Sequence, residues 1–294
     1  MKLELVQLNR LGNREKNEDR LLVIERGPTT LIVVADGMGG HRGGEIASQM
    51  VVDTLERLFS LCKLPLQDPT GFLKNAIAST HTLINREAQQ HKPAIDPRTT
   101  CVACLIQGTT ASWAHVGDSR LYLLRDSKVL ARTTDHSYVE DLFQQGLISE
   151  AEMLTHPKRS YLTQCVGGDT PRPDVAVNEF NSLEKGDVVV LCSDGFWSAV
   201  EEDLISDITE HPELEPIINQ VAHKAESNSY PQSDNITVVA ARALLLDTPD
   251  TTTDDNDTEG LSGSEADHLD HAVNTINQAF EDYSNEMDYD PDTK

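Results

Sequence analysis

The chain has 294 residues, of which 38% are hydrophobic, and a formal net charge of −25. Its length allows one large domain or two ordinary ones, and its acidity argues against non-specific binding to nucleic acid or to an anionic membrane, both of which need a basic face. The charge is uneven: residues 247–294 hold 15 acids and one lysine, −14, which leaves −11 on residues 1–246.

The opening residues MKLELVQLNR lack the apolar centre of a signal peptide. No apolar run approaches the about 20 residues of a membrane span. These features predict a cytoplasmic, reducing setting. The five cysteines (Cys62, Cys101, Cys104, Cys165 and Cys192) then read as reduced thiols that fill a core. Cys101 and Cys104 form a C-x-x-C, but no second pair stands at zinc spacing. Three apart on a strand, they point to opposite faces.

Short β-rich runs bounded by Gly, Asp and Asn predict strands over 21–25 and 30–35. Two helices follow, over 44–61 and 68–90. Each has a stripe of apolar residues at helical spacing: Ile46, Met50, Val51, Leu55, Leu58 and Phe59 in the first, Phe72, Leu73, Ala76, Ile77, Leu83 and Ile84 in the second. Strands are predicted again over 101–107, 112–116 and 120–124, and Gly117-Asp118-Ser119 between the last two reads as a hairpin turn. Residues 135–172 form an irregular insertion with a short helical piece that starts at Ser149 and is capped by Glu152. A substrate-facing role and a plain surface excursion both remain open for it. Beyond it come a strand over 187–192, helices near 201–209 and 213–227, and a strand over 236–244.

After residue 246 the composition changes. Residues 247–264 are rich in Asp, Thr, Ser and Gly and read as a disordered acidic linker. Ala266, Leu269, Val273, Ile276, Phe280 and Tyr283 then recur at alternating spacings of 3 and 4. They predict an amphipathic helix over 265–283, followed by an acidic end to 294. That helix is a candidate partner-binding element. The element order lacks the regular alternation of a parallel α/β fold, and mostly antiparallel sheet with helices outside fits better.

Three acids stand where solvated charge is not expected. Asp36 ends the apolar run Leu31-Ile32-Val33-Val34-Ala35, Asp194 follows Val188-Val189-Val190-Leu191-Cys192, and Asp234 precedes Ile236-Thr237-Val238-Val239. A carboxylate at the tip of a buried strand needs a counter-charge. Few lysines or arginines lie near these acids in sequence, so a metal is the candidate. Carboxylate donors without clustered His or Cys favour Mg²⁺, Mn²⁺ or Ca²⁺ over zinc.

The ordered motif set resembles the metal-dependent protein phosphatase family of the 2C type, in its bacterial form. It runs Arg14-Glu15-Lys16-Asn17-Glu18-Asp19, Asp36-Gly37-Met38-Gly39-Gly40-His41 with Gly44-Glu45, Thr99-Thr100, and His115-Val116-Gly117-Asp118-Ser119-Arg120. It continues with Asp135-His136-Ser137, Cys192-Ser193-Asp194-Gly195 and Asp234-Asn235-Ile236-Thr237. The resemblance covers about residues 3–245 and implies an α+β fold, a four-layer αββα sandwich of two mostly antiparallel sheets flanked by helices. It implies a phosphatase catalytic domain over 1–246, with 135–172 as the flap beside the cleft.

The resemblance further implies hydrolysis of phosphoserine and phosphothreonine on proteins by a metal-activated water at a centre of two divalent cations, Mn²⁺ or Mg²⁺. Asp36 matches the carboxylate bridging both metals, Gly37 a backbone carbonyl ligand, and Asp194 and Asp234 the other direct ligands. Glu18 and Asp19 match acids that act through water, and Arg14 matches the phosphate-binding arginine. Asp118, with Asp194, matches the site of a third, weaker metal, and equally reads as a turn former. The implied partners are phosphoprotein substrates and a cognate bacterial Ser/Thr kinase. An inactive phosphoprotein-binding scaffold on the same fold is the alternative.

Two positions depart from the family pattern. Met38 stands where some relatives carry a histidine as candidate general acid, and Pro97-Arg98 replaces the more usual Met-Gly before Thr99. The second departure is expected to alter a local turn without removing a ligand.

Overall fold

A computed structural model of the protein describes residues 1–38, 43–92 and 95–245. Strands β1 (Lys2–Arg10), β2 (Arg20–Arg26), β3 (Thr29–Ala35) and β4 (Gly37–Met38) precede helices α1 (Gly43–Leu61) and α2 (Pro69–Gln90). Next come β5 (Arg98–Thr99), β6 (Cys101–Gln107), β7 (Thr110–Val116), β8 (Arg120–Arg125) and β9 (Lys128–Arg132). Helices α3 (Tyr138–Gln144) and α4 (Glu150–Thr155) lead to β10 (Val166–Gly167), β11 (Ala176–Phe180) and β12 (Val188–Cys192). The described part closes with α5 (Asp194–Trp197), α6 (Glu202–Ser206), a 3₁₀ turn Asp207–Glu210, α7 (Leu214–Ser229) and β13 (Ile236–Leu245).

Two five-stranded sheets carry the fold, in the orders β1-β13-β12-β8-β9 and β11-β7-β6-β3-β2. Every neighbouring pair in them is antiparallel. The central strands bury both faces, which is why they read as unbroken apolar runs. Leu121, Leu123, Val189, Leu191 and Val239 meet Ile32, Val34, Val102, Cys104 and Trp113 between the sheets. The alternate residues Tyr122, Leu124, Val188, Val190 and Val238 face outward against Phe196, Ile205, Ile217 and Val221 of α5–α7. Helices α1 and α2 pack on each other and on β3, β6 and β7 of the second sheet. The result is the expected αββα sandwich. Among the described residues no helix is long and apolar enough to cross a membrane.

Four of the five thiols are buried as expected, and Cys62 is partly exposed. Cys104 lies in the inter-sheet core, and Cys101, three residues away, does not. Both are free, and burial pushes both thiols up.

The expected hairpin at Gly117–Ser119 is not one. Strand β7 pairs with β6 and β11, whereas β8 pairs with β12 and β9. The turn is therefore a crossover from one sheet to the other. Both flanking strands are apolar on both faces, so alternation could not reveal which sheet each joins. The short strands β4, β5 and β10 have no counterpart in the sequence reading, and neither do three strands of the two large sheets. Strand β1 sends Leu3 and Leu5 to the inter-sheet core and Val6 and Leu8 to the α7 side, while β9 and β11 are largely exposed edge strands. The linker at 247–264 and the helix at 265–283 lie outside the described residues, as do Gly39, Gly40 and His41.

Leu123 is fully buried between the sheets. Leu123→Ala should lower the unfolding free energy by about 2–5 kcal/mol, read from the midpoint and slope of a urea titration.

Candidate metal centre

The ends of three strands from both sheets bring the candidate ligands together. Asp36 follows β3 and is held by its backbone: its N–H donates to Thr100 Oγ1 at 3.0 Å, and its carbonyl accepts from Thr100 N at 2.8 Å and Thr99 Oγ1 at 2.9 Å. Gly37 N donates to Glu18 O at 3.2 Å. A Cβ on Gly37 would lie 2.2 Å from Gly44 O, so only glycine lets the start of α1 close on this strand end. Asp194 opens α5 after β12, and Asp234 stands just before β13.

These residues line one cleft of about 670 Å³. Arg14, Glu18, Asp36, Gly37, Asp118, Asp194 and Asp234 all contribute, together with Met38 and the flap residues Ser160 and Leu162. Asp19 does not line the cleft. It is 1% exposed and accepts a hydrogen bond from Ser193 Oγ at 2.8 Å, and that Ser193 oxygen in turn accepts from Thr237 N at 3.0 Å. Arg14 pairs with Asp234 Oδ2 and keeps more than half of its side chain in solvent. Neither Glu15 nor Glu18 is its partner in this geometry.

The acids repel one another. Burial, then Asp19, Asp194, Asp118 and Asp234, push the Asp36 carboxyl well above the usual range. Burial, then Asp194 and Asp135, do the same to Asp118. Burial raises Asp19 to about 7, while burial and Asp234 raise Asp194 to about 6. Asp36, Asp118 and Asp194 each keep a face open to the cleft, but protein surrounds their carboxyls closely enough to weaken solvation.

A divalent cation is the counter-charge this set lacks. Asp194 Oδ1 is buried and has no hydrogen-bond partner among the described residues. Such an orphaned oxygen is costly unless a ligand completes it. Among the described residues no three His, Cys, Asp or Glu side chains by themselves form a cage for an ion. The arrangement instead suits hard cations whose shells mix carboxylates with a backbone carbonyl and water. The donors are all oxygen, which fits Mg²⁺ or Mn²⁺ and not zinc.

Two supports were not visible in the sequence. Asn235, 5% exposed, accepts from Glu18 N at 2.8 Å and donates through Nδ2 to Leu11 O at 2.8 Å and Lys16 O at 3.0 Å. It thereby fastens the loop that carries Arg14 and Glu18. Gly12 has φ +61, and a Cβ there would lie 2.0 Å from Asp234 O. Asn235 stands in the motif set with no task assigned, and only its contacts across about two hundred residues reveal one.

The insertion at 135–172 forms α3 and α4. Ser149 caps the second of these helices, with its N–H donating to Glu152 Oε2 at 2.8 Å. Strand β10 ties the far end of the insertion to β5, and β5 pairs with β4 beside the cleft. Arg98 of the altered Pro97-Arg98 pair lies in β5, opposite Met38 and Gly167.

A family model described as Protein phosphatase 2C matches residues 8–236. Serine/threonine protein phosphatase PstP of Mycobacterium tuberculosis is 32% identical over 234 residues, which cover 80% of this chain and 43% of that protein. The chain thus matches less than half the length of that relative. Serine/threonine phosphatase stp of Listeria welshimeri is 31% identical over 242 residues, covering 79% of this chain and 92% of that protein. The solved S. agalactiae serine/threonine phosphatase aligns with a TM-score of 0.74 at 29% identity, over 82% of this chain and 100% of that one. The catalytic domain of PstP, solved in complex with two manganese ions, aligns with a TM-score of 0.70 at 30% identity, over 82% and 98%.

The raised carboxyls have a testable consequence. A carboxyl whose folded pKa exceeds its unfolded value favours the protonated fold, and that stabilisation is lost as pH rises through the interval between the two. For Asp19 and Asp194 that interval runs from 3.8 to about 7 and about 6. Without metal, the melting temperature should fall across this range. Added Mn²⁺ competes with those protons and should raise the melting temperature more at the upper end than at the lower. Thermal scans with chelator and with Mn²⁺ at both ends check it, and an equal gain at both would contradict the electrostatic account.

Proposed function

The chain belongs to the protein phosphatase 2C family, and from that premise we propose that it hydrolyses phosphoserine and phosphothreonine monoesters on proteins. The observation that carries this reading is the gathering of Asp36, Gly37, Asp118, Asp194, Asp234 and Arg14 on one cleft, with Asp194 Oδ1 left without a hydrogen-bond partner among the described residues. The relatives' printed names support it, since each is a serine/threonine phosphatase.

In this proposal Asp36, the Gly37 carbonyl, Asp194 and Asp234 hold two divalent cations, Mn²⁺ or Mg²⁺. Glu18 and Asp19 act on them through water, and Asp118 with Asp194 takes a third. Such ions supply a water nucleophile at neutral pH and offset charge on the phosphoryl oxygens. Arg14 has a largely solvent-exposed side chain on the cleft, and its guanidinium is suited to fork onto two phosphate oxygens. It gives up Asp234 as it does so. Asn235 keeps the Arg14 loop in place while this exchange occurs. Met38 lines the cleft and has no proton to give, so the leaving oxygen takes its proton from water or another group. Attack by water in line with the leaving oxygen requires no Ser or Cys nucleophile.

The proposed partners are cytoplasmic phosphoproteins and the bacterial Ser/Thr kinase that phosphorylates them, with the flap at 135–172 contributing to the choice among them. The segment 247–294, with its apolar stripe at 265–283, is read as an interaction element. Deleting it should leave hydrolysis of a small aryl phosphate unchanged and reduce recovery of protein partners. Unchanged partner recovery would remove that role.

The activity itself is tested by Mn²⁺-dependent hydrolysis of p-nitrophenyl phosphate and of a phosphothreonine peptide. Loss of partners around metal ligands typically costs 10–100-fold, so Asp36→Asn, which removes a ligand, should lower kcat/KM by at least about a hundredfold. A native protein that binds metal but acts no faster than Asp36→Asn on either substrate would be the inactive scaffold.

A further inference from the structure

Asp118 sits on the crossover between β7 and β8, and the first residues of the flap grip that crossover directly. His136 N donates to Gly117 O at 2.9 Å, and Gly117 N donates to His136 Nδ1 at 3.3 Å. The preceding residue, Asp135, is 6% exposed and accepts from Arg120 Nε at 2.8 Å and Nη2 at 2.7 Å. Arg120 Nη1 also donates to the Tyr122 hydroxyl at 2.9 Å. The guanidinium carbon stands 3.3 Å from the centroid of the Trp197 ring. Trp197 closes the circuit, because its Nε1 donates to Asp118 O at 3.0 Å. Trp197 is also the last residue of α5, the short helix that Asp194 opens.

The circuit therefore joins three things: the entry to the flap, the backbone of Asp118 and the helix of Asp194. Its chemistry suits holding a geometry. A buried ion pair gains little net stability after desolvation. A two-pronged Arg–carboxylate contact does fix distance and angle, and a guanidinium stacked on indole adds a second restraint. We propose that Asp135, Arg120 and Trp197 are positioning residues that set the spacing of Asp118 and Asp194 for a divalent cation and tie that spacing to the seat of the flap. The proposal rests on the reading of Asp118 as a metal ligand, and the experiment separates the two.

Trp197 provides the signal. The chain has two tryptophans, and the other, Trp113, is buried in the inter-sheet core. Mg²⁺ titrated into the metal-free full-length protein should change tryptophan emission in the weakest binding step. Asp118→Asn should abolish that step, as followed by calorimetry. Trp197→Phe keeps an aromatic ring and removes one hydrogen bond. It should weaken the same step about fivefold, with the tighter steps and the melting temperature unchanged. Asp135→Asn should weaken the same step, speed amide exchange over 136–144 and lower the melting temperature, because it leaves the buried Arg120 charge without its carboxylate. If Asp118→Asn removes the weak step but Trp197→Phe leaves every affinity intact, the positioning role is overturned and the ligand reading stands. If Asp118→Asn leaves all steps intact, the ligand reading fails and the positioning role fails with it. Should Asp135→Asn not fold, Trp197→Phe alone decides.

Discussion

The architecture of the cleft follows from one electrostatic conflict: Asp36, Asp118 and Asp194 crowd together on it beside Asp234, with the buried Asp19 near enough to Asp36 to add to the repulsion. Asp36 is pushed up by burial and by four other aspartates. The positive side chains nearby do not balance this set: Arg14 contacts Asp234 from the solvent side, and the carboxyls of Asp19, Asp36, Asp118 and Asp194 all remain pushed up. A fold that spends stability in this way keeps its acids close for a reason, and divalent cations held as proposed would relieve the repulsion. The same logic explains why the acids sit at strand ends. Most positions within the central strands are apolar on both faces, and an unpaired carboxylate there would face hydrocarbon.

The sandwich makes the convergence possible. Antiparallel strands from two packed sheets end together, so β3 from one sheet and β12 and β13 from the other deliver Asp36, Asp194 and Asp234 to a common edge. Close backbone approach then decides spacing on the scale of ångströms. Gly37 beside Gly44, and Gly12 beside Asp234, are places where a single methyl group would collide with a carbonyl oxygen. The threonines and serines beneath (Thr99, Thr100, Ser193) satisfy backbone and carboxyl groups that would otherwise be orphaned. The site is an acidic bowl with the exposed Arg14 at its rim.

What the sequence disclosed divides along the range of the interactions involved. Apolar runs and helical stripes are local, and they located most strands and both long helices. The acids at strand ends were legible because a carboxylate next to five apolar residues is locally anomalous. Gly117 was misread because sheet membership is a non-local property and both its neighbours look alike. Asn235 and the Arg120–Asp135 pair were opaque for a related reason. Their importance lies in partners far along the chain, and Asn and Arg are ordinary surface residues in composition. Met38 was legible as a departure, yet its position on the cleft wall says only what it cannot do.

Arg14 shows how the electrostatic conflict connects to substrate. An exposed ion pair such as Arg14–Asp234 contributes little to stability, because water screens it and two side chains lose freedom to form it. A weak pair is what a site needs if the arginine must change partners. A buried, two-pronged contact like Arg120–Asp135 could not be exchanged without stranding a charge. The fold thus places its buried, doubly bonded arginine on the Asp118 crossover and its exposed one on the cleft, where the proposed phosphate would arrive. Cations at Asp234 would lower the demand of that carboxylate for Arg14, so filling the acidic bowl and freeing the guanidinium for phosphate are two consequences of one event.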